Sequence, residues 1–158
     1  MSSDPSIVQG PRGRPEQSPG ATGSGAEIRE ELERRVDAIE AGYELMLAYA
    51  AQGVPSDTTA ASGGQLREFL RRFDAALTGL AELYRSVIAA DDRAAAESYE
   101  GFLGILAQDA KAAQAGLRVV MAQPSISSQL VDNLNASIHV RALLTDVFLI
   151  DELLKHHR

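Results

Sequence analysis

The sequence predicts an all-α protein: an up-down four-helix bundle that follows a disordered N-terminal tail. From residue 27 onward, apolar residues recur at alternating steps of three and four, the period of helices with one face in a core. Residues 1–25 are instead rich in Gly, Pro and Ser, a composition typical of disorder. We therefore expect a tail over residues 1–25 and a helical bundle domain over residues 26–158.

The first helix has the clearest predicted boundaries. Glu27 and its acidic neighbours stand at its start, where negative charge complements the helix dipole. Gly53 suits a left-handed C-terminal cap, and Pro55 prevents the helix from continuing. These signals predict a helix that ends at about residue 52.

The second and third helices are separated less clearly. Ser62 and Gln65 have the spacing of a capping box, which predicts the start of the second helix. Neither Gly nor Pro occurs in residues 89–93, so one continuous helix over residues 64–122 is the alternative. We expect a break instead, because Asp91 is a favoured N-cap residue in the middle of the apolar stripe.

The last predicted helix has apolar residues on two sides. It begins at Ser125 or Ser127, after Pro124, and runs to about His156. One apolar stripe suffices to join a bundle, and this helix carries a second one. The second stripe consists of Val131, Ile138, Ala142, Leu149 and Leu153. Because C2 homodimers are the commonest assembly, we expect dimerisation through this stripe, with a central position in the fold as the alternative.

Small residues are concentrated in the third predicted helix. Gly101, Gly104 and Gly116 lie among several Ala, and each Gly costs a helix about 1 kcal/mol relative to Ala. Two explanations stay open: the close approach of a neighbouring helix, or room for a flat ligand between helices.

Charge and composition argue against several partners. The chain has 22 acidic and 15 basic residues, so we expect no nucleic-acid partner. No apolar run is long enough to predict a membrane span. There is no Cys, which agrees with a reducing compartment, and the predicted location is the cytoplasm.

No sequence motif indicates catalysis, a bound cofactor or a metal ion. The Glu-x-x-His pair of di-iron bundles, the nucleotide-binding Gly patterns and the Gly-x-Ser-x-Gly elbow of hydrolases do not occur. We therefore expect no catalytic residue, no cofactor and no metal site.

One polar site is a candidate. Arg141 lies close to the apolar sector of the last helix and, if buried, needs an acidic partner, for which Glu100, Asp109 and Asp37 are the candidates. His139 is the other candidate member of this site. An exposed Arg141, with only its aliphatic stem against the protein, is the alternative.

Residues 33–40, with the sequence Glu-Arg-Arg-Val-Asp-Ala-Ile-Glu, resemble the opening of the first helix of the all-helical chorismate mutases. The resemblance implies an all-helical enzyme that holds a dicarboxylate substrate. That family places further cations along the same helix, whereas residues 41–52 contain no Lys or Arg.

Three functions follow from these observations. The first is a non-catalytic accessory or adaptor protein that acts through protein contacts and is homodimeric. The second is a binder of an apolar surface or ligand, either in the manner of granule-coat proteins or as a cofactor-binding bundle. The third is a chorismate-mutase-like enzyme.

Overall fold

The protein is described by a computed structural model that covers residues 24–156, apart from the side chain at position 93. Within this range the structure is all-helical, as the sequence predicts. Its helices are α1 (Gly25–Gln52), α2 (Gly63–Leu77), α3 (Leu80–Asp91), α4 (Arg93–Met121), α5 (Ser128–Ala136) and α6 (Ile138–Lys155). The predicted number of four is wrong, because two of the predicted helices are each divided in two. Apart from Ser24 and Gly25, the predicted tail lies outside the described residues.

Both ends of α1 are fixed by local hydrogen bonds and backbone geometry. The Ser24 hydroxyl accepts from the Glu27 amide at 3.3 Å, and the Ser24 amide donates to the Glu27 carboxylate at 2.7 Å. This capping box satisfies amides that a helix start leaves free. At the other end Gly53 adopts the predicted left-handed conformation, with φ of 63°.

A break that the sequence did not reveal separates α2 from α3. Gly79 is left-handed, with φ of 68°, and the Thr78 hydroxyl before it accepts from the Gln114 side chain at 2.9 Å. Leu77 and Leu80 are both buried on either side of the break. The apolar period therefore passes through the break, and periodicity alone predicts one helix.

A second unpredicted break separates α5 from α6. Ser137 has ψ of 132°, outside the helical region, and its hydroxyl accepts from the His139 amide at 3.3 Å. Leu134 and Val140 are buried on both sides of the break, so the pattern again continues across it. The break puts Val131 on a different helix from the rest of the predicted second stripe.

The break between α3 and α4 is confirmed, with a small shift. The capping residue is Asp92, whose carboxylate accepts from the amides two and three residues later, instead of Asp91. The predicted helix start at Ser62 is right but its capping box is wrong. The Ser62 hydroxyl donates to the Gln52 side chain at 3.0 Å and makes no cap bond with Gln65.

The core lies between the two longest helices and their neighbours. Helix α1 packs against α2, α3 and α5, while α4 packs against α2, α3, α5 and α6. The largest fully buried side chains include Tyr49, Tyr84, Phe73, Ile39, Met46, Leu66, Leu70 and Leu106. In the described part of the chain, each helix is too short or too polar to cross a bilayer.

Two loops are joined by a buried ion pair that we call the Asp57 lock. The Asp57 carboxylate accepts from the Arg67 guanidinium at 2.6 Å and from the Ile126 amide at 2.7 Å. Arg67 also donates to the carbonyls of Met121 and Gln123, at 3.0 and 2.9 Å. Burial alone would raise the pKa of Asp57, but these two donors lower it below its usual value.

Candidate functional site

The residues of the predicted polar site do not come together. Arg141 and His139 are exposed near the start of α6. Glu100 is bound by Arg85 of α3, whose guanidinium donates to both carboxylate oxygens, at 2.8 and 3.1 Å. Asp109 contacts a second carboxyl group, on α6. The structure therefore forms no site around Arg141, whose side chain is exposed as in the alternative prediction.

That second carboxyl group belongs to Asp146, which the sequence did not indicate. Asp146 is only 8 % exposed, and it hydrogen-bonds Asp109 across the contact between α4 and α6. Burial, together with the hydrogen bond and charge of Asp109, raises the pKa of Asp146 to about 7. Near neutral pH, this acid pair therefore takes up or releases a proton.

One oxygen of the acid pair has no partner. The Oδ2 atom of Asp146 is buried and makes no hydrogen bond with any described residue. Asn135, near the end of α5, is the other described residue with buried, unpartnered side-chain atoms. A buried polar atom without a partner lowers the stability of a fold by about 1–3 kcal/mol, so the acid pair destabilises the chain.

The predicted second stripe is exposed on α6 but not on α5. Ile138 is 73 % exposed, Leu149 and Leu153 are 48 % and 39 % exposed, and Ala142 is half-buried. Val131, by contrast, is fully buried in the core. The apolar outer face of this region therefore belongs to α6, and Val131 is not part of it.

A matching stripe on α4 was not recognised in the sequence. Its members are spaced by alternating steps of four and three, the heptad spacing of helices that pack along a seam. They are Gly101, Ile105, Gln108, Ala112, Ala115 and Val119. All of them are exposed except the half-buried Ala112, and none carries a charge. The spacing was the available signal, but the small residues had suggested contacts inside the fold.

The close approach of a neighbouring helix, the first of the two explanations left open by the sequence, holds for one of the three glycines of α4. A Cβ added at Gly116 would lie 3.3 Å from Leu134, so a helix of the same chain approaches there. At Gly101 and Gly104 an added Cβ would meet nothing within 4 Å. Packing inside the described chain therefore accounts for Gly116 and leaves the other two glycines facing open space.

The stripes of α4 and α6 flank the acid pair on its outer side. Ile105 lies about one turn before Asp109 on α4, and Leu149 about one turn after Asp146 on α6. On each helix the buried residues lie on one side of the acid and the exposed stripe on the other. We call these two stripes together, with Ile138, Ala142, Leu149 and Leu153 from α6, the α4–α6 face.

Elsewhere, a cavity of about 180 Å³ lies between α1, α3 and α6. We call it the end cavity. Its apolar walls are Leu32, Val36, Val87 and Leu154. Its charged residues are four acids and two bases, namely Glu33, Asp37, Asp91 and Asp151 with Arg29 and Lys155.

The carboxylate of Asp151 has a fixed position in the end cavity. The hydroxyl of the fully buried Tyr84 donates to Asp151 Oδ1 at 2.7 Å. Burial raises the pKa of Asp151, and the Tyr84 hydrogen bond and the charge of Lys155 offset part of that rise. Within residues 24–156, His, Asp and Glu side chains form no group of three able to hold a metal ion.

Comparison with known proteins gives no relative for this chain: no protein-family model, curated protein or solved structure matches it.

Proposed function

We propose that this chain is a non-catalytic cytoplasmic accessory protein that acts through protein contacts and forms a homodimer through the α4–α6 face. The observation that carries the proposal is the pair of exposed, uncharged stripes beside one helix seam. Scattered exposed apolar residues are normal on a protein surface, but aligned ones indicate a contact surface.

The dimensions of the α4–α6 face are those of a small interface. From Gly101 to Val119 its α4 stripe is about 27 Å long, at the rise of 1.5 Å per residue. Two neighbouring helices give it a width of roughly 20 Å, at interaxial distances near 10 Å. Its projected area of roughly 540 Å² is about two-thirds of the roughly 800 Å² per partner that standard interfaces bury.

Two open glycines, Gly101 on this face and Gly104 beside it, favour a helix as the partner element. Gly101 and Gly104 each weaken α4 by about 1 kcal/mol, and no described residue packs against them. Helices approach most closely where side chains are smallest, so open glycines suit a second helix lying along α4. A second copy of the chain supplies such a helix from its own α4–α6 face, as twofold symmetry requires.

The test is an association measurement on charged variants. Leu149→Asp with Leu153→Asp should convert a dimer to a monomer in sedimentation equilibrium, because it puts four charges into a twofold interface. Ile105→Asp, on the other helix of the face, should have the same effect. Leu47→Asp on α1 is the matched control, since Leu47 is 47 % exposed and lies off the face.

The possible results separate the interface from a folding defect. Circular dichroism should show wild-type helix content for all of these variants. If the variants of the α4–α6 face are folded and keep the mass of the wild-type chain, the interface proposal is wrong. It is also wrong if Leu47→Asp dissociates the protein as effectively.

The second candidate is a binder of apolar surfaces, and the same face favours it. A granule-coat-like protein would lay the α4–α6 face on lipid instead of on a second copy. Flotation with phosphatidylcholine vesicles distinguishes the two, because only the coat-like protein should float, and Leu149→Asp with Leu153→Asp should abolish that flotation.

The end cavity argues against the mutase-like function. Residues 33–37, within the segment that resembles the mutases, contribute Glu33, Val36 and Asp37 to its wall. With four carboxylates against two cations, this cavity repels a dicarboxylate substrate. It favours ligands of the opposite charge.

A further inference from the structure

Three carboxylates of the end cavity take part in no ion pair with a described residue. Two cations line the cavity. Arg29 forms an ion pair with Asp91, and the Lys155 ammonium lies 3.8 Å from the carboxylate of Glu152, a residue that does not line the cavity. Among the described residues, Glu33, Asp37 and Asp151 take part in no ion pair. The cavity therefore attracts a positive charge from outside the described chain.

Helix ends add to this attraction. Asp91 is the last residue of α3 and Lys155 the last of α6, so the C-terminal turns of both helices border the cavity. The C-terminus of a helix carries a partial negative charge of about half an elementary charge. The start of α1 has the opposite sign, but the carboxylate of Glu27 caps it.

The apolar walls of the site favour an organic cation over a metal ion. Asp151 is held by Tyr84 against apolar walls from Leu32 and Leu154, and these walls offer no ligand to a metal. They do offer contact to a carbon chain. An ammonium group with a short apolar tail can contact both the carboxylates and the apolar walls of the cavity.

The volume limits the size of that tail. The cavity of about 180 Å³ has room for a short aliphatic chain. We propose that the end cavity binds a small aliphatic ammonium ion, with its charge on Asp151 and Asp37 and its carbon chain on the leucine and valine walls. This inference is independent of association through the α4–α6 face.

The experiment is a titration of the full chain with n-pentylammonium, followed by calorimetry and by backbone amide shifts. We expect saturable 1:1 binding, about tenfold tighter than the binding of the neutral pentan-1-ol, because only the amine meets the carboxylates. The shifts should centre on residues 29–37 and 151–155. Equal affinity for the alcohol, or no saturation up to about 10 mM, would overturn the proposal.

Variants test the assigned residues. Asp151→Asn keeps an oxygen to accept from Tyr84 and should weaken amine binding about tenfold. Lys155→Gln removes a competing cation from the exposed end of α6 and should tighten it severalfold. Glu44→Gln is the control, an exposed acid further along α1, and should change the affinity less than about twofold.

Three outcomes would count against the assignment. An unchanged amine affinity in Asp151→Asn would show that the Asp151 carboxylate does not bind the ammonium group. A weaker amine affinity in Lys155→Gln would contradict the claim that Lys155 competes with the ammonium group for the carboxylates. Displacement of n-pentylammonium by an equal concentration of Mg²⁺ would show a site for metal ions instead. If Asp151→Asn fails to fold, Lys155→Gln still tests the proposal, because Lys155 is exposed at the end of α6.

Discussion

Two buried carboxylates of this chain, Asp57 and Asp146, have opposite surroundings. Asp57 accepts hydrogen bonds from a guanidinium and a backbone amide, and its pKa is lowered. Asp146 faces another carboxyl group, keeps one oxygen unpartnered, and has its pKa raised to about 7. The region around Asp57 is complete within the chain, whereas the region around Asp146 adjoins an exposed apolar face. The contrast separates an acid that joins two loops of the fold from one that lies beside the face we propose as an interface.

The glycines repeat this contrast. A Cβ at Gly63 would lie 1.6 Å from the backbone oxygen of Asp57, so the loop requires glycine there. Gly101, on the α4–α6 face, has open space instead. Contacts inside the chain therefore require glycine at position 63, whereas no described residue requires it at position 101.

The largest expected effect is the loss of the Asp57 lock. Asp57→Asn leaves Arg67 without its ion-pair partner and should lower the free energy of unfolding by about 3 kcal/mol. Urea denaturation followed by circular dichroism measures this change. Glu68→Gln is the control, since its ion pairs with Arg71 and Arg72 are exposed and should contribute less than about 1 kcal/mol. Equal losses in the two variants would contradict the structural role of the lock.

Asp146→Asn should have the opposite effect, and the effect should depend on pH. Because the folded-state pKa of Asp146 is raised, its contribution is fully present below about pH 4 and is lost as the pH rises through about 7. At pH 8 the uncharged variant should therefore be more stable than the wild type by about 1–2 kcal/mol. Below about pH 4, where the Asp146 carboxyl is protonated in both the folded and the unfolded chain, the two should nearly agree.

The difference between the two pH profiles isolates this group. Asp57 acts in the other direction, because its stabilisation is present above about pH 4 and is lost as the pH falls through its lowered pKa. Asp132→Asn, which changes an exposed acid on α5, should leave the wild-type profile unaltered. A variant Asp146→Asn that is less stable than the wild type at pH 8 would show that the charge is needed.

The smallest effect is expected at the open glycine of the face. Gly101→Ala should stabilise α4 by about 0.5–1 kcal/mol, measured by thermal unfolding in the Leu149→Asp, Leu153→Asp background. In the otherwise wild-type chain it should weaken association severalfold, because the added Cβ would fill space that the proposed partner helix approaches. Gly63→Ala, in contrast, should destabilise the fold. Unchanged association in Gly101→Ala would argue against close helix contact at that position.

The sequence predicted those features of the fold that depend on local chemistry. Gly53 and Pro55 end α1 as expected, and a capping aspartate separates α3 from α4. The breaks at Gly79 and Ser137 were missed because buried residues on both sides keep the helical period. The period of the apolar residues shows which face of a segment is buried, but it does not show whether the segment is one helix or two helices separated by a break.

The candidate sites depend on contacts between distant residues and were only partly predictable. The exposure of Leu149 and Leu153 could be predicted, because they belong to a second apolar stripe on a helix that needs only one stripe to pack in a bundle. Asp146 lies among Leu144 and Val147, which was a local signal of burial, but its pairing with Asp109 depends on how α4 meets α6. The end cavity joins three helices, so no single segment of sequence indicated it.

Sedimentation equilibrium of the wild-type chain tests the central claim, association through the α4–α6 face, most directly. The mass of one chain is 16.9 kDa. At about 50 μM we expect twice that mass, falling toward the monomer on dilution as a reversible dimer requires. A mass of 16.9 kDa at every concentration would contradict the claim.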